Sequence, residues 1–269
     1  MRKTLALLAV LAAALVIGIV PAGAITDGEL DGNGHPAVVL VVMDVQGAPA
    51  FRCSGTLIAP KFVLTAGHCA GEPGEFSGIR VFTESDVENG NNTFPIAGGP
   101  NAVEAVDWEA HPQFTKAAFF LHDAGMIELA QPVNLAPASY GALPDAGDLD
   151  GLKTRRGKQD VTFTSVGYGL QQINPVRIQQ DLVRMVAHPR LIQINVPGSV
   201  GDFSLLLSNN HSTGGTCLGD SGGPNYLGSS NVVAGITSFG INGNCAGTGG
   251  VFRTDKQDVL DFVDDFMNP

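Results

Sequence analysis

The chain has 269 residues, with 15 Lys and Arg against 26 Asp and Glu, a formal net charge of -11, 44% hydrophobic residues and four cysteines. So acidic a balance argues against a nucleic-acid partner, because phosphate binding relies on clustered Lys and Arg. The one basic cluster, Lys153 to Lys158, lies in a Gly/Asp-rich stretch and reads as a solvated loop.

The first residues read as a secretory signal peptide: Arg2 and Lys3, an apolar run from Leu5 to Val20, then Pro21 and Ala22–Gly23–Ala24. The run falls short of the ~20 residues that span a bilayer. Cleavage after Ala24 is expected, leaving residues 25–269 exported with no membrane association. Four cysteines in an exported chain (Cys53, Cys69, Cys217, Cys245) are read as two disulfides, with three pairings open. No Cys-x-x-Cys spacing points to zinc instead.

Short Val-, Ile-, Thr- and Phe-rich runs bounded by Gly, Pro and Asn predict strands. Ala37–Met43, Ser54–Ala59, Phe62–Ala66 and Ile79–Thr83 form an early group. Val161–Gly167, Leu182–Ala187 and Asn231–Phe239 form a late one. Between them Leu135–Lys158, rich in Pro, Gly and Asp, reads as a linker, giving two β-modules of ordinary domain size. At the end Val259, Phe262, Val263 and Phe266 recur at helical spacing, and Thr254 or Asp255 is placed to cap the helix.

The chemistry is concentrated in "CLGDSGGP", Cys217 to Pro224. A serine hydroxyl needs an adjacent base to take its proton, and an acid usually orients that base. "GDSGG" matches the G-x-S-x-G elbow of α/β-hydrolases, but that fold places its histidine after the serine, and the last histidine here is His211. The histidine must precede Ser221. His68, in "VLTAGHC", ends an apolar strand run beside Cys69, whereas His111 and His188 precede prolines and read as turn or surface residues. His122 precedes Asp123, which leads into another apolar run.

"TAGHC", "HDAGMIEL" and "CLGDSGGP", in the order His, Asp, Ser, resemble the trypsin–chymotrypsin family of serine proteases. "CSGTLIAP", "SVGYGL" (Tyr168 standing where the family has Trp), "ITSFG" and "GGVFRT" extend the resemblance over nearly all of residues 25–269. It implies an all-β fold of two six-stranded antiparallel barrels, about 25–140 and 141–269, with a C-terminal helix. It also implies a catalytic His68, Asp123 and Ser221, an oxyanion hole from the Gly219 and Ser221 N–H groups, and the pairings Cys53–Cys69 and Cys217–Cys245. Gly215, Thr216, Ser238, Phe239, Gly240 and Gly250 are then the substrate-binding positions, with Gly215 at the pocket floor and Gly240 and Gly250 on its walls. Ser238 would also support Asp123. Asp220 would pair with the α-amine of Ile25 once cleavage frees it, although Thr26 and Asp27 depart from the family's usual N-terminus.

The expectation is therefore a secreted, monomeric serine endopeptidase acting on protein or peptide substrates, with an uncharged, roomy pocket. A catalytically silent binding protein is the alternative, and retention of all three residues argues against it. The chemistry needs neither metal nor cofactor. The acidic stretch Phe82–Asn92 reads as a solvated loop rather than a calcium site, and Asn91 and Asn210 begin glycosylation sequons.

Overall fold

A computed structural model describes residues 25–152, 159–173, 178–196 and 201–269. The expected signal peptide and the basic cluster at 153–158 lie outside the described residues. In chain order the main elements are β1 (Glu29–Leu30), β2 (Val38–Val45), β3 (Ala48–Ala59), β4 (Phe62–Thr65), the one-turn α1 (Gly67–Ala70), β5 (Gly78–Phe82), β6 (Ala102–Ala110) and β7 (Gly125–Leu129). After the linker come β8 (Phe163–Gly167), β9 (Gln172–Ile173), β10 (Ile178–Gln179), β11 (Met185–Ala187), β12 (Leu191–Val196) and β13 (Gly201–Asn209). β14 (Pro224–Leu227), β15 (Val233–Gly240), β16 (Gly247–Arg253) and α2 (Gln257–Met267) complete the chain.

Strands β2-β3-β4-β7-β6-β5 close into a six-stranded barrel. The second module is an eight-stranded sheet of half-barrel form, ordered β1-β11-β8-β14-β15-β16-β13-β12, where a second six-stranded barrel was expected. Two of its eight strands extend it at one edge: β11 pairs with β8, and β1 adds to β11 with Glu29 opposite Val186. The N-terminal strand thus belongs to the second module, although it precedes the first in sequence.

The C-terminal helix crosses the other way. Val259, Phe262 and Val263 are buried in the core cluster that holds Leu57, Leu64 and Met126 of the first barrel, and Phe266 meets Phe62 edge-on at 6.2 Å. Its apolar stripe is the one the spacing predicts, but its start is not capped by Thr254 or Asp255. Lys256 occupies the N-cap position with no side-chain cap. Thr254 Oγ1 donates instead to the Val233 carbonyl, and the Asp255 carboxylate accepts from Leu149 N–H and the buried Arg253 guanidinium. Those buried donors would otherwise lack acceptors, which outweighs the preference for a capped end.

At the junction of the modules lies Arg184, fully buried. Nε reaches Asp31 at 2.8 Å, Nη1 reaches the Val38 carbonyl at 2.9 Å and the Tyr168 hydroxyl at 3.2 Å, and Nη2 the Gly32 carbonyl at 3.0 Å. One cation thereby joins the N-terminal segment, the first barrel and the residue that follows β8. Arg184→Met should destabilise the protein by about 3–5 kcal/mol in denaturant unfolding, because it strands the buried Asp31 carboxylate. Adding Asp31→Asn should recover part of that loss; a single variant as stable as the parent would contradict this account.

Candidate functional site

His68 sits in the single turn α1, positioned by the end of β4 and by the disulfide that joins Cys53 on β3 to Cys69. Asp123 is wholly buried just before β7. Its Oδ1 accepts from the backbone N–H of His68 at 2.9 Å, and its Oδ1 and Oδ2 stand 3.1 and 3.0 Å from the ring Nδ1. Ser238 Oγ on β15 donates to Asp123 Oδ2 at 2.5 Å. The carboxylate is therefore held by three groups from two modules, and the ring is fixed with Nδ1 toward it and Nε2 away. Burial of the ring pulls its pKa down, but the charge and hydrogen bonds of Asp123 outweigh burial and hold His68 above the ordinary histidine value.

Ser221 lines the same cavity as His68. Ser221 Oγ and His68 make no direct hydrogen bond, and such contacts commonly tighten only with substrate bound. The turn carrying the serine is closed by Asp220 N–H to Cys217 O (3.0 Å) and Gly223 N–H to Asp220 O (2.8 Å). It is tied across the modules by Ser54 N–H to Ser221 O (2.7 Å) and Gly222 N–H to Thr237 O (2.9 Å). Gly222 has φ +81°, and a Cβ there would lie 2.1 Å from Thr65 Oγ1 and 2.3 Å from Ser54 O. The glycine is a steric requirement of seating the turn on the first barrel. The N–H groups of Gly219 and Ser221 donate to nothing among the described residues, whereas those of Asp220, Gly222 and Gly223 are all used.

A second cavity, of about 360 Å3, also borders Ser221 and is lined by β15 and the Cys217–Cys245 disulfide. Thr216, Ser238, Phe239 and Gly240 line it, as expected, and no charged side chain does. Gly215 and Gly250 are not on its surface. The space a side chain at 215 would fill is taken by Asn209, 2.3 Å from such a Cβ, and Gly250 is covered at 2.3 Å by the Phe239 ring. Asn209 and Thr248 line the cavity instead, a role sequence reasoning missed. Asn209 Nδ2 donates to Thr216 O (2.7 Å) and its Oδ1 accepts from Thr26 Oγ1 (2.8 Å). Only the pairing of β13 with its neighbours brings it there, so no local signal could have revealed it.

Ile25 and Asp220 are not brought together. Ile25 carries residue 24 on its nitrogen, so it has no amine, and it packs beside Val183, Met185 and Ala187. Asp220 is fully buried, with its oxygens accepting from Gly169 N–H (2.7 Å) and Cys217 N–H (2.8 Å). Burial pushes its carboxyl up to about 7, against the opposing pull of those two N–H groups and of Arg52.

Two donor clusters invite a metal. In Cys53, His68 and Cys69 both sulfurs are consumed by the disulfide. In His111, His122 and Asp258, His111 Nδ1 accepts the Gln113 N–H at 3.2 Å while Nε2 faces the Asp258 carbonyl at 3.3 Å, so Nε2 carries the proton and offers no lone pair. Neither donor set fits a metal as arranged. His111 is also buried and stacked on His122, not the surface residue its following proline implies. In the acidic loop, Glu84 accepts from Asn91, Asn92 and Asn101, and Asp86 from Asn89.

The sequence matches the family model described as Trypsin over residues 30–263. It is 30% identical over 201 residues to brachyurin of Leptuca pugilator, covering 72% of this chain and 78% of that protein. It is 27% identical to human chymotrypsin-like elastase family member 3A, covering 76% and 73%. The solved structure of an HL collagenase superposes with a TM-score of 0.69 at 19% identity, covering 91% of this chain and 99% of the other, a likeness of fold.

The Asp220 carboxyl supplies a test of this geometry. Its value rises from 3.8 in the ordinary state to about 7 when folded, so the folded chain holds the proton more tightly. The associated stability is complete below the lower value and is lost as pH rises through about 7. For the protein with residue 24 still attached, urea unfolding should show stability falling over that window, and Asp220→Asn should flatten the fall. An identical slope in both proteins would contradict the assignment.

Proposed function

The chain belongs to the trypsin family of serine proteases, and on that premise we propose a secreted endopeptidase, acting as a monomer on protein or peptide substrates, that cleaves through an acyl-enzyme on Ser221. His68 takes the hydroxyl proton and returns it to the departing amine, Asp123 holds the imidazole in the required tautomer and stabilises its cation, and the free N–H groups of Gly219 and Ser221 receive the oxyanion. The observation that carries this reading is His68, bonded through Nδ1 to a buried Asp123, facing one cavity with Ser221. No helix among the described residues is long and apolar enough to cross a membrane.

The uncharged cavity beside Ser221 is the pocket for the residue before the cut. Its volume and its lining by Phe239, Leu218 and Ile241 favour a bulky apolar side chain over Lys or Arg, whose charge would find no partner there. Freeing the Ile25 amine, expected of signal peptidase, would supply Asp220 with a cation and remove the cost of ionising it in the interior. A free α-amine titrates near ~8, and the buried carboxylate would raise that value.

A fluorophosphonate probe should label Ser221 and fail to label Ser221→Ala; an unlabelled parent would favour the silent, binding-only member. A diverse peptide library should be cut after Phe, Tyr, Leu or Met, and dominant cleavage after Lys or Arg would overturn the pocket assignment. N-terminal sequencing of active secreted protein should begin at Ile25, and one extra residue before it should abolish most activity.

The pH profile tests the base. Because the His68 pKa is raised, kcat/KM should rise with pH through a midpoint above the ordinary ~6.5. Asp123→Asn should move that midpoint down and cost about 10^4-fold in turnover. His68→Ala should cost several orders of magnitude, and His111→Ala or His188→Ala far less; an equal loss at His111 would mean the base is misassigned.

A further inference from the structure

A cavity of about 260 Å3 shares Ser221, and no other lining residue, with the uncharged pocket; it is lined by Phe51, Arg52, His68, Glu75 and Phe76 among others. His68 lines this cavity and not the pocket. A base that hands its proton to the departing amine must face the leaving group, so this cavity receives the residues after the cut.

Arg52, on β3 immediately before Cys53, is the unpartnered cation of the cleft. The buried arginines Arg80, Arg184 and Arg253 each have a carboxylate partner, whereas the half-buried Arg52 guanidinium has neither hydrogen-bond acceptor nor ion pair among the described residues. The charge of Asp220 reaches it, but both Asp220 oxygens are engaged by backbone N–H groups. The guanidinium stands beside the serine turn: a Cβ at Gly219 would lie 3.5 Å from Arg52 Nε. The one acid on the cavity wall, Glu75, is matched by Lys116 Nζ at 2.9 Å and by Glu72 N–H at 3.0 Å. Phe51 and Phe76 meet edge-on at 6.3 Å and form an apolar shelf along the approach to Arg52.

A planar fork of N–H donors, partly stripped of water and lacking an acceptor, is complementary to a carboxylate. We infer that Arg52 binds a carboxylate of the substrate on the leaving-group side, which makes it a specificity residue of this chain; the inference rests on the roles given above to His68 and Ser221. The carboxylate has two possible sources: a Glu or Asp side chain one or two residues past the cut, or the terminal carboxylate of a short leaving peptide. The Phe51–Phe76 shelf suits the methylenes of Glu.

The test uses the mature secreted protein and peptides identical up to the cut, with Phe or Leu before it. One set, blocked at both ends, carries Glu, Gln or Lys at the first or second position after the cut. A second set pairs short leaving peptides ending as the free acid or the amide. For each enzyme the readout is a ratio of kcat/KM, Glu over Gln or acid over amide, so a general loss of activity or folding in a variant cancels. The wild type should favour the carboxylate by about tenfold in at least one set, the set identifying its source. Arg52→Gln should bring that ratio to about one, and Arg52→Lys should keep part of it. Ratios near one in the wild type, or ratios that Arg52→Gln leaves unchanged, would overturn the inference. An acyl p-nitroanilide, which carries no residue after the cut, together with fluorophosphonate labelling tests the peptidase reading separately. If both fail, that reading is what falls.

Discussion

The site exists because the serine turn can be pressed against the first barrel more closely than any side chain would allow. Gly222 lies with its missing Cβ in the space of Thr65 Oγ1 and the Ser54 carbonyl, and Ser54 donates its N–H to Ser221 O across the same seam. The histidine and the buried carboxylate come from the first barrel, and the serine and Ser238 from the second module. No local fold could assemble them; only the relative placement of the modules brings these side chains together. The crossing of chain ends serves this constraint, since β1 extends the second sheet while α2 packs on the first barrel. Each module is strapped by a segment remote from it in sequence, so sliding one against the other would break both straps at once.

Around that seam the interior holds several charges, and their partners differ in kind. Arg184 with Asp31, and Arg253 with Asp255, are paired ions whose remaining donors meet carbonyls or other acceptors. Asp123 is satisfied by a histidine N–H, a ring nitrogen and a serine. Asp220 alone has only neutral backbone donors in bonding contact, which is why its carboxyl is pushed up to about 7 while structurally paired acids such as Asp31 are held low. Desolvation without a contacting counter-charge marks a group that another state of the protein can relieve. The His68–Asp123 pair has the same sense of pH dependence from a different cause, because a contacting counter-charge rather than burial raises its pKa. Its raised histidine pKa contributes stability below the unfolded value and loses it as pH rises through the folded one. The neutral ring therefore appears where that electrostatic stabilisation fades.

Much of this was legible in sequence, and the pattern of what was not is informative. Ala37–Met43 and Phe62–Ala66 announce β2 and β4 because these runs are almost wholly buried and every residue but Thr65 is apolar. β6 (Ala102–Ala110) went unread: it is a barrel strand with no fully buried residue, three of the nine residues of "AVEAVDWEA" are charged, and its pairing with β5 and β7 rather than its composition makes it a strand. His68, Asp123 and Ser221 were legible because each sits in a motif whose neighbours serve the same turn, such as Gly222 beside Ser221. Asn209 carries no such neighbourhood. It fills the place of a side chain that Gly215 lacks, and a void is visible only after the strands are folded.

The two cavities that share Ser221 differ in their chemistry. On one side the wall is neutral and built from side chains already bonded to each other: Asn209 is committed to Thr26 and Thr216, so its polarity is largely spent and the interior presents little that a charge could use. On the other side Arg52 retains its full complement of donors within a chain whose net charge is -11. The surplus acid repels an anionic peptide only weakly beyond the Debye length, about 8 Å at physiological salt. Inside the cleft, the nearest charges decide. Arg52 is a cation with no acceptor among the described residues, set beside a serine turn whose own acid, Asp220, is engaged by backbone N–H groups. Thr26 adds a further coupling, because the segment that follows Ile25 also braces the base of the neutral pocket through Gly215 and Asn209. The N-terminal segment is thus tied to Asn209, on the cavity wall, and to Gly215 through hydrogen bonds of 2.8–3.2 Å.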